Sequence, residues 1–427
     1  METYATILNY AILFFTALIA LEFVASLILK KSVNYGLDTI SSLSSGMTNT
    51  LKDVLGLGIV LLSYRWMFKH FAVFEINSTI LLYIIGFILI DFSAYWSHRW
   101  NHVINIMWNR HVIHHSSEEF NLSAALRQSI SGIIGVYFFL SIPMAVLGIP
   151  PEIIGIILPL HLFAQFWYHT RLINRMGFLE KIIVTPSHHR VHHAINPQYL
   201  DKNYAAVFII WDKLFGTFQE ELKEIPPVYG VKSPVNTWNP ILINWMHAWQ
   251  ILKDAWYTKD WKDKFRIWFM PTGWRPADVV ERFPIFYYED DVYEQKKYRT
   301  SVNRFLLIWF WSQLTLHLLL EMYLFNQIAA FDYTQILLYG IFLFISIFGY
   351  TTLMDRHLLA IPAELIKMSL GIYLLVMMNG WYGLDNYISY ASWFFGGYLF
   401  LSMGITLYYT LGEKTPKKQL LNDAKMG

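Results

Sequence analysis

The chain has 427 residues, of which 55% are hydrophobic, 18% aromatic and 15% charged. Ordinary soluble domains carry roughly a quarter charged residues, so a water-soluble globule is excluded. Lys and Arg number 33 and Asp and Glu 31, a formal charge of +2 with no basic stripe, which argues against a nucleic-acid partner. There is no cysteine, so disulfides, thiolate metal sites, iron–sulfur clusters and cysteine nucleophiles are excluded, and any metal must be held by His and carboxylates.

In chain order, runs near the roughly 20 apolar residues needed to cross a hydrocarbon core predict eight to nine spans. They are Tyr10–Leu29, Val54–Phe68, Ile80–Ser97, Ile130–Leu147, Ile153–Tyr168, Val302–Tyr323, Thr334–Tyr350, Leu358–Met377 and Ala391–Tyr409. The first carries no small-residue cleavage site after Lys30–Lys31 and reads as a retained span. The second is short and contains Arg65, which also suits a re-entrant or interfacial helix. Gly56-x-Gly58 lies in this apolar run and reads as helix packing rather than a phosphate loop.

Lys30, Lys31 and Lys52, then Arg171 and Arg175, then Lys414, Lys417 and Lys418 flank spans on one side, which the positive-inside rule makes cytoplasmic. Alternation then puts Trp100–Gln128 and the polar, proline-bearing stretch Leu172–Ser301 on that face, as a cap of short helices and loops. The predicted architecture is all-α, a polytopic integral membrane helix bundle with a cytoplasmic helical cap carrying a His-rich dimetal site. Three regions are expected: residues 1–75 as N-terminal membrane helices, 76–300 as a catalytic domain with the cap, and 301–427 as a C-terminal four-span bundle.

Of 15 histidines, eight fall in three tight groups, His98/His102, His111/His114/His115 and His189/His192/His193. Spacings of three and four residues place side chains on one helical face, and the topology brings all three groups to one side of the membrane. Eight imidazoles exceed the six positions of an octahedral ion, so two metals are expected, about four nitrogens each. Imidazole suits iron, zinc, copper and nickel alike, and iron is preferred for redox chemistry. His169 is a candidate ninth ligand, with Gln165 four residues earlier on the same face. His188 reads as an outer residue and His161 as a packed polar one; His70, His247, His317 and His357 are isolated and read as structural.

A metal-bound imidazole needs a partner for its second ring nitrogen. Asp91, two helical turns before His98, is the expected partner, and Glu118, Asn121, Arg127, Asp201, Asn203 and Asp212 flank the groups for similar work. Trp96, Trp100, Trp108 and Trp167 are candidates to line the head-group end of a lipid groove.

The run Asp91-Phe-Ser-Ala-Tyr-Trp-Ser-His98-Arg-Trp-Asn-His102, followed by His111-x-x-His114-His115 and His189-x-x-His192-His193, resembles the three histidine boxes of the fatty-acid hydroxylase and sterol desaturase superfamily. The flanks Ser116-Ser-Glu-Glu-Phe-Asn-Leu-Ser-Ala-Ala-Leu-Arg127, Thr185-Pro-Ser-His188 and Ile210-Trp-Asp-Lys-Leu-Phe-Gly-Thr-Phe218 are similar to its glyceryl-ether-cleaving branch. That resemblance implies two Fe ions at the membrane face and O2-dependent hydroxylation of a lipid. In that branch the reaction is at the carbon next to the ether oxygen, with tetrahydrobiopterin as reductant and collapse of a hemiacetal to aldehyde and glycerol. Three positions depart from the pattern. Val103 stands where a Glu follows the first box, His161 where an Asn is expected, and Gln165 where related hydroxylases have a His, implying a ligand set one His smaller on that helix.

No dinucleotide fingerprint occurs, so a separate electron donor, a reductase or a diffusible pterin, is expected. The alternative substrates are a fatty acid, a sterol or another lipid at the same site. A zinc hydrolase or a metal transporter is the non-oxidative alternative. The lack of cysteine and of a retention signal favours a bacterial inner membrane over an endoplasmic reticulum.

Overall fold

A computed structural model describes residues 2–74, 76, 79–287 and 291–412; among them there is no strand, only four isolated bridge pairs. The all-α expectation holds, and Lys414, Lys417 and Lys418 lie outside the described residues. The helices that organise the chain are α1 (Glu2–Ile28), α2 (Gly36–Val54), α3 (Tyr64–Phe71), α4 (Thr79–Val103), α5 (Pro151–Phe163), α6 (Pro186–His192), α7 (Pro240–Tyr257), α8 (Trp261–Arg266), α9 (Arg304–Asn326), α10 (Tyr333–Met354), α11 (Ala360–Met377) and α12 (Ala391–Leu407).

Among the described residues six helices, α1, α4 and α9 to α12, are long and apolar enough to cross a membrane, rather than the eight or nine expected. The three other expected spans fail for visible reasons. In 54–68 the chain leaves α2 through Gly56, whose φ of +65° is the left-handed turn that ends a helix, so the Gly56-x-Gly58 pair terminates α2 instead of packing one. Ser63 then caps the eight-residue α3. In 130–147 the helical part is broken into a short 3-10 turn and Ile142–Val146. These two stretches share backbone hydrogen bonds, Ile59 N–H donating to Ile133 O at 2.7 Å and Gly135 N–H to Ile59 O at 2.9 Å; beyond α3, Val73 N–H donates to Val146 O at 3.0 Å. Helix α5 has 13 residues, about 20 Å of rise against the roughly 30 Å of a hydrocarbon core.

The chain divides into two compact units. One comprises 11–235 and 241–297 and contains the three histidine groups. Its apolar core joins α4 to α5 and the 142–149 segment through Leu82, Ile90, Met144, Ile149, Ile153 and Ile157. Gly86 permits that contact, since a Cβ there would stand 2.8 Å from Ile157 Cδ1. A second cluster of Tyr95, Tyr168, Val184, Tyr204, Ala205 and Ile209 joins the far end of α4 to the 204–209 loop.

The other unit comprises 1–10, 236–240 and the described residues from 298 onward, built on α9 to α12. Its core includes a polar cluster around Lys367. Lys367 on α11 pairs with Glu364 and donates to Ser402 Oγ at 2.8 Å and Tyr398 OH at 3.2 Å on α12. Tyr398 OH in turn donates to Gln313 Oε1 at 2.7 Å on α9. Gly349 on α10 leaves room for the carboxylate, because a Cβ there would lie 3.3 Å from Glu364 Oε2.

Candidate metal centre

The C-terminal end of α4 carries His98 and His102 one turn apart; a short helix Val112–His115 follows His111; α6 carries His189 and His192 and is capped by His193. Helix α6 starts at Thr185, whose side chain and that of His188 close a capping box, with Pro186 in the first turn where its missing N–H costs nothing. Together with His169, just beyond α5, these elements bring nine imidazoles into two groups. His98, His102, His111, His115 and His192 form one; His114, His169, His189 and His193 form the other, and within each the ligand atoms lie within 4.8 Å of one another.

The partition follows from helical geometry. Residues four apart share a face, so His98 and His102, and His111 and His115, serve the first group while His189 and His193 serve the second. Neighbours in sequence diverge by about 100°, so each of the pairs His114–His115 and His192–His193 sends one ring to each group. The groups meet where His115 stacks on His193, ring centroids 4.2 Å apart and planes 20° apart.

Main-chain carbonyls settle which nitrogen is bare. His98 Nδ1–H donates to Tyr204 O at 2.7 Å, His192 to Lys202 O at 2.9 Å, His114 to Arg127 O at 3.2 Å and His169 to Gln165 O at 3.0 Å. A carbonyl only accepts, so each of these rings carries its proton on Nδ1 and turns an Nε2 lone pair inward. In the second group the Nε2 atoms stand 2.8 Å apart for His189 and His169, 3.0 Å for His193 and His189, 3.1 Å for His193 and His114, and 3.3 Å for His169 and His114. The last pair cannot be a hydrogen bond, because neither Nε2 has a proton to give. In the first group His98 Nε2 and His111 Nε2 are 2.9 Å apart, and the Nε2 atoms of His102, His115 and His192 are buried with no protein partner.

Two nitrogens each about 2.1 Å from one ion lie about 3.0 Å apart at a right angle and about 3.4 Å apart at the tetrahedral angle. The observed separations match the edges of such a polyhedron, and the donor set fits a divalent transition metal in each group. Burial first, and the neighbouring imidazoles second, hold His111, His115, His189, His192 and His193 far below the usual histidine range. Burial takes His114 down to about 3. The rings are therefore neutral at physiological pH, the form that ligates metal.

Several expected roles change. Asp91 does not reach His98; its carboxylate accepts from His161 Nε2 at 2.7 Å, from the backbone N–H of Val207 at 2.9 Å and Phe208 at 3.0 Å, and from Trp211 Nε1 at 2.9 Å. It anchors the loop whose earlier residue, Tyr204, supplies the carbonyl to His98, and Asp212 fixes the same loop by accepting from the N–H of Tyr204 and Ala205, both at 2.8 Å. Arg127 orients His114 with its carbonyl, while its buried guanidinium donates to Asp38 Oδ1 at 2.7 Å, Ser116 Oγ at 2.7 Å and Ser42 Oγ at 3.0 Å. Asn121 turns away to Val33 O at 2.8 Å, and Glu118 accepts from Gln295 Nε2 at 3.4 Å.

Asp201 lies 3.9 Å from His102 Nδ1, and Asn203 ties His188 O to Gln219 through its side chain. Gln165 sends its side chain to His161, 3.1 Å from Nδ1, and only its carbonyl toward His169. His188, lowered to about 4 by burial, belongs to neither group. Of the four tryptophans only Trp108 faces these rings, 5.0 Å from His102 and 5.5 Å from His115. Trp100 instead meets Tyr137 and Phe139, and Trp96 and Trp167 join the aromatic cluster behind α4. Phe120 covers the second group, stacked on His169 at 5.8 Å and on Tyr229 at 5.0 Å.

Two supports were not foreseen. Glu22 in α1 accepts from Leu122 N–H at 2.8 Å and Thr170 Oγ at 2.6 Å, fixing the residue after His169. A carboxylate inside an apolar span was the available signal. Helix α2 buries Ser41, Ser42, Ser44, Ser45 and Thr48 and presents Asp38 to Arg127 and to Ser117 Oγ. Its polar composition reads as a loop.

Comparison with known proteins agrees with this site. A family model described as fatty acid hydroxylase matches residues 83–217. Alkylglycerol monooxygenase of Homo sapiens is 36% identical over 360 residues, 83% of this chain and 79% of the human protein. The Xenopus tropicalis protein of the same name is 39% identical over 266 residues, 61% of this chain and 58% of its own length. An ornithine lipid hydroxylase of Rhizobium tropici is 29% identical over 152 residues, 36% of this chain and 46% of that protein. No solved structure matches.

Proposed function

The chain belongs to the alkylglycerol monooxygenase family, and from that footing we propose that its nine histidines hold two irons and that it uses O2 to hydroxylate a lipid, preferentially the ether-bearing carbon of an alkylglycerol. The observation that carries the reading is the division of nine imidazoles, six buried and three half-buried, into five and four, with bare Nε2 atoms about one coordination edge apart. Two irons bound there supply the redox chemistry that puts one atom of O2 into an unactivated C–H bond and releases the other as water.

The chain's own residues hold, orient and exclude. The carbonyls of Tyr204, Lys202, Arg127 and Gln165 keep the proton on Nδ1 of their histidines and aim Nε2 inward. Phe120 and Tyr229 over one group, and Trp108 and Tyr204 beside the other, keep bulk water from the reacting carbon. A hydroxylated ether carbon is a hemiacetal, which collapses to a fatty aldehyde and a glycerol derivative. Each turnover needs two electrons and two protons from a separate donor, a reductase or a pterin; tetrahydrobiopterin is the one the resemblance implies. Lys30, Lys31, Arg171 and Arg175 support a cytoplasmic face for the site, and the lack of cysteine supports a bacterial inner membrane over an endoplasmic reticulum.

The test is protein prepared without oxygen and with iron, assayed by elemental analysis and Mössbauer spectroscopy, then given an alkylglycerol and O2. About two coupled irons per chain and oxygen-dependent fatty aldehyde are expected. Zinc alone with oxygen-independent turnover overturns the reading. The match to an ornithine lipid hydroxylase favours a second substrate class, an acyl chain or other lipid at the same site. A hydroxylated product with no aldehyde selects it.

A further inference from the structure

Helix α7 has two faces of opposite character. Its inner face grips the segment between α4 and His111, where His247 lies 2.8 Å from Asn105 O and Ala248 N–H donates to Asn109 Oδ1 at 2.8 Å, and it also holds Ile130, whose N–H donates to Asn244 Oδ1 at 2.9 Å. Its outer face exposes Trp245, Met246, Trp249, Leu252 and Trp256, a spacing of three and four residues that forms one continuous apolar stripe. Helix α8 and its extension continue it with Trp261, Phe265 and Phe269, again four apart. Trp249 is 60% exposed, Trp256 78%, Phe265 70% and Phe269 74%, in a stretch whose overall polarity reads as a water-facing cap.

We propose that α7 and α8 lie in the bilayer interface as a monotopic platform, with this aromatic stripe seated among the lipids and anionic head groups held along its edge. Three observations fix lipid as the occupant. The segment is bound to the residues where the apolar helix α4 ends: Thr272 N–H donates to Val103 O at 3.3 Å, Asn105 N–H to Met270 O at 2.9 Å and Ile106 N–H to Trp268 O at 3.0 Å. That is the level at which a span leaves the hydrocarbon. The stripe is rich in tryptophan, the side chain with an apolar body and a donor that interfaces favour. Its flank is basic: residues 253–266 contain five cations, Lys253, Lys259, Lys262, Lys264 and Arg266, against three carboxylates. Lys264 stretches over Trp261, its Nζ 5.7 Å from the ring and 2.9 Å from Ala255 O, so its stem covers apolar surface while its charge caps α7.

The absence of cysteine makes the test clean. Single variants Trp249→Cys, Trp256→Cys and Phe265→Cys, with Lys223→Cys as an exposed control, are nitroxide-labelled in the full chain. Each is then placed in discs of phosphatidylcholine and phosphatidylglycerol. Collision with O2 and with a water-soluble nickel chelate is read by power saturation. The three stripe labels are expected to favour O2 over nickel several-fold relative to the control, with no dipolar broadening. Nickel access equal to the control overturns the proposal, because the face is then wet. Dipolar broadening between labels also overturns it, because a second copy of the chain then covers the stripe. Three independent positions keep the result readable if one variant fails to insert.

Discussion

In the C-terminal bundle the Lys367 ammonium meets a carboxylate, a hydroxyl and a phenol, so a costly buried charge is answered by side chains of the same unit. In the histidine unit main-chain carbonyls hold the Nδ1 atoms of His98, His114, His169 and His192, while Nε2 atoms face one another across about 3 Å. A closed polar set fixes how helices pack. A set of inward-facing lone pairs is the arrangement that a cation would satisfy. The difference separates a structural polar core from a binding site, although both are buried and rich in titratable groups.

That contrast is broken or sharpened by substitution. The largest effect is expected at the open set: His115→Ala and His193→Ala, one per group, should lower turnover below about one-hundredth of the parent rate, beyond the cost of losing an outer partner. Metal analysis should show the loss, with the protein still inserted. Retained turnover in either would dissolve the five-and-four partition. At the closed set, Lys367→Met leaves Glu364 buried without its partner and should cost about 3–5 kcal/mol. Unfolding in micelles reads this, with metal content unchanged and most of the loss recovered in Lys367→Met with Glu364→Gln.

Smaller effects lie in the supporting layer. Asp91→Asn and Asp212→Asn should each reduce turnover by roughly 10-fold, and the double variant by less than the product, because both carboxylates hold one loop. Strict multiplicativity would mean that the two act separately. Gln165→Ala should stay within about threefold of the parent, since His169 is oriented by a main-chain carbonyl that the substitution keeps.

The histidine groups were legible because coordination demands short-range spacing, and intervals of three and four residues survive in the sequence as a pattern. The long apolar helices were legible for the same reason. What escaped was long-range or main-chain. Asp91 finds its partners 70 to 120 residues away, and no spacing announces them. Arg127 was singled out for its side chain, yet the atom that touches His114 is its carbonyl. The stretches 54–68 and 130–147 have the composition of spans, and only their mutual hydrogen bonds show why continuous helix is unnecessary there.

The two split histidine pairs carry a consequence for substitution. His114–His115 and His192–His193 each send one ring to each group through one short piece of backbone, so a change that shifts either piece moves a ring in both groups. A backbone change there is expected to reach the five and the four together, which no single ring substitution does.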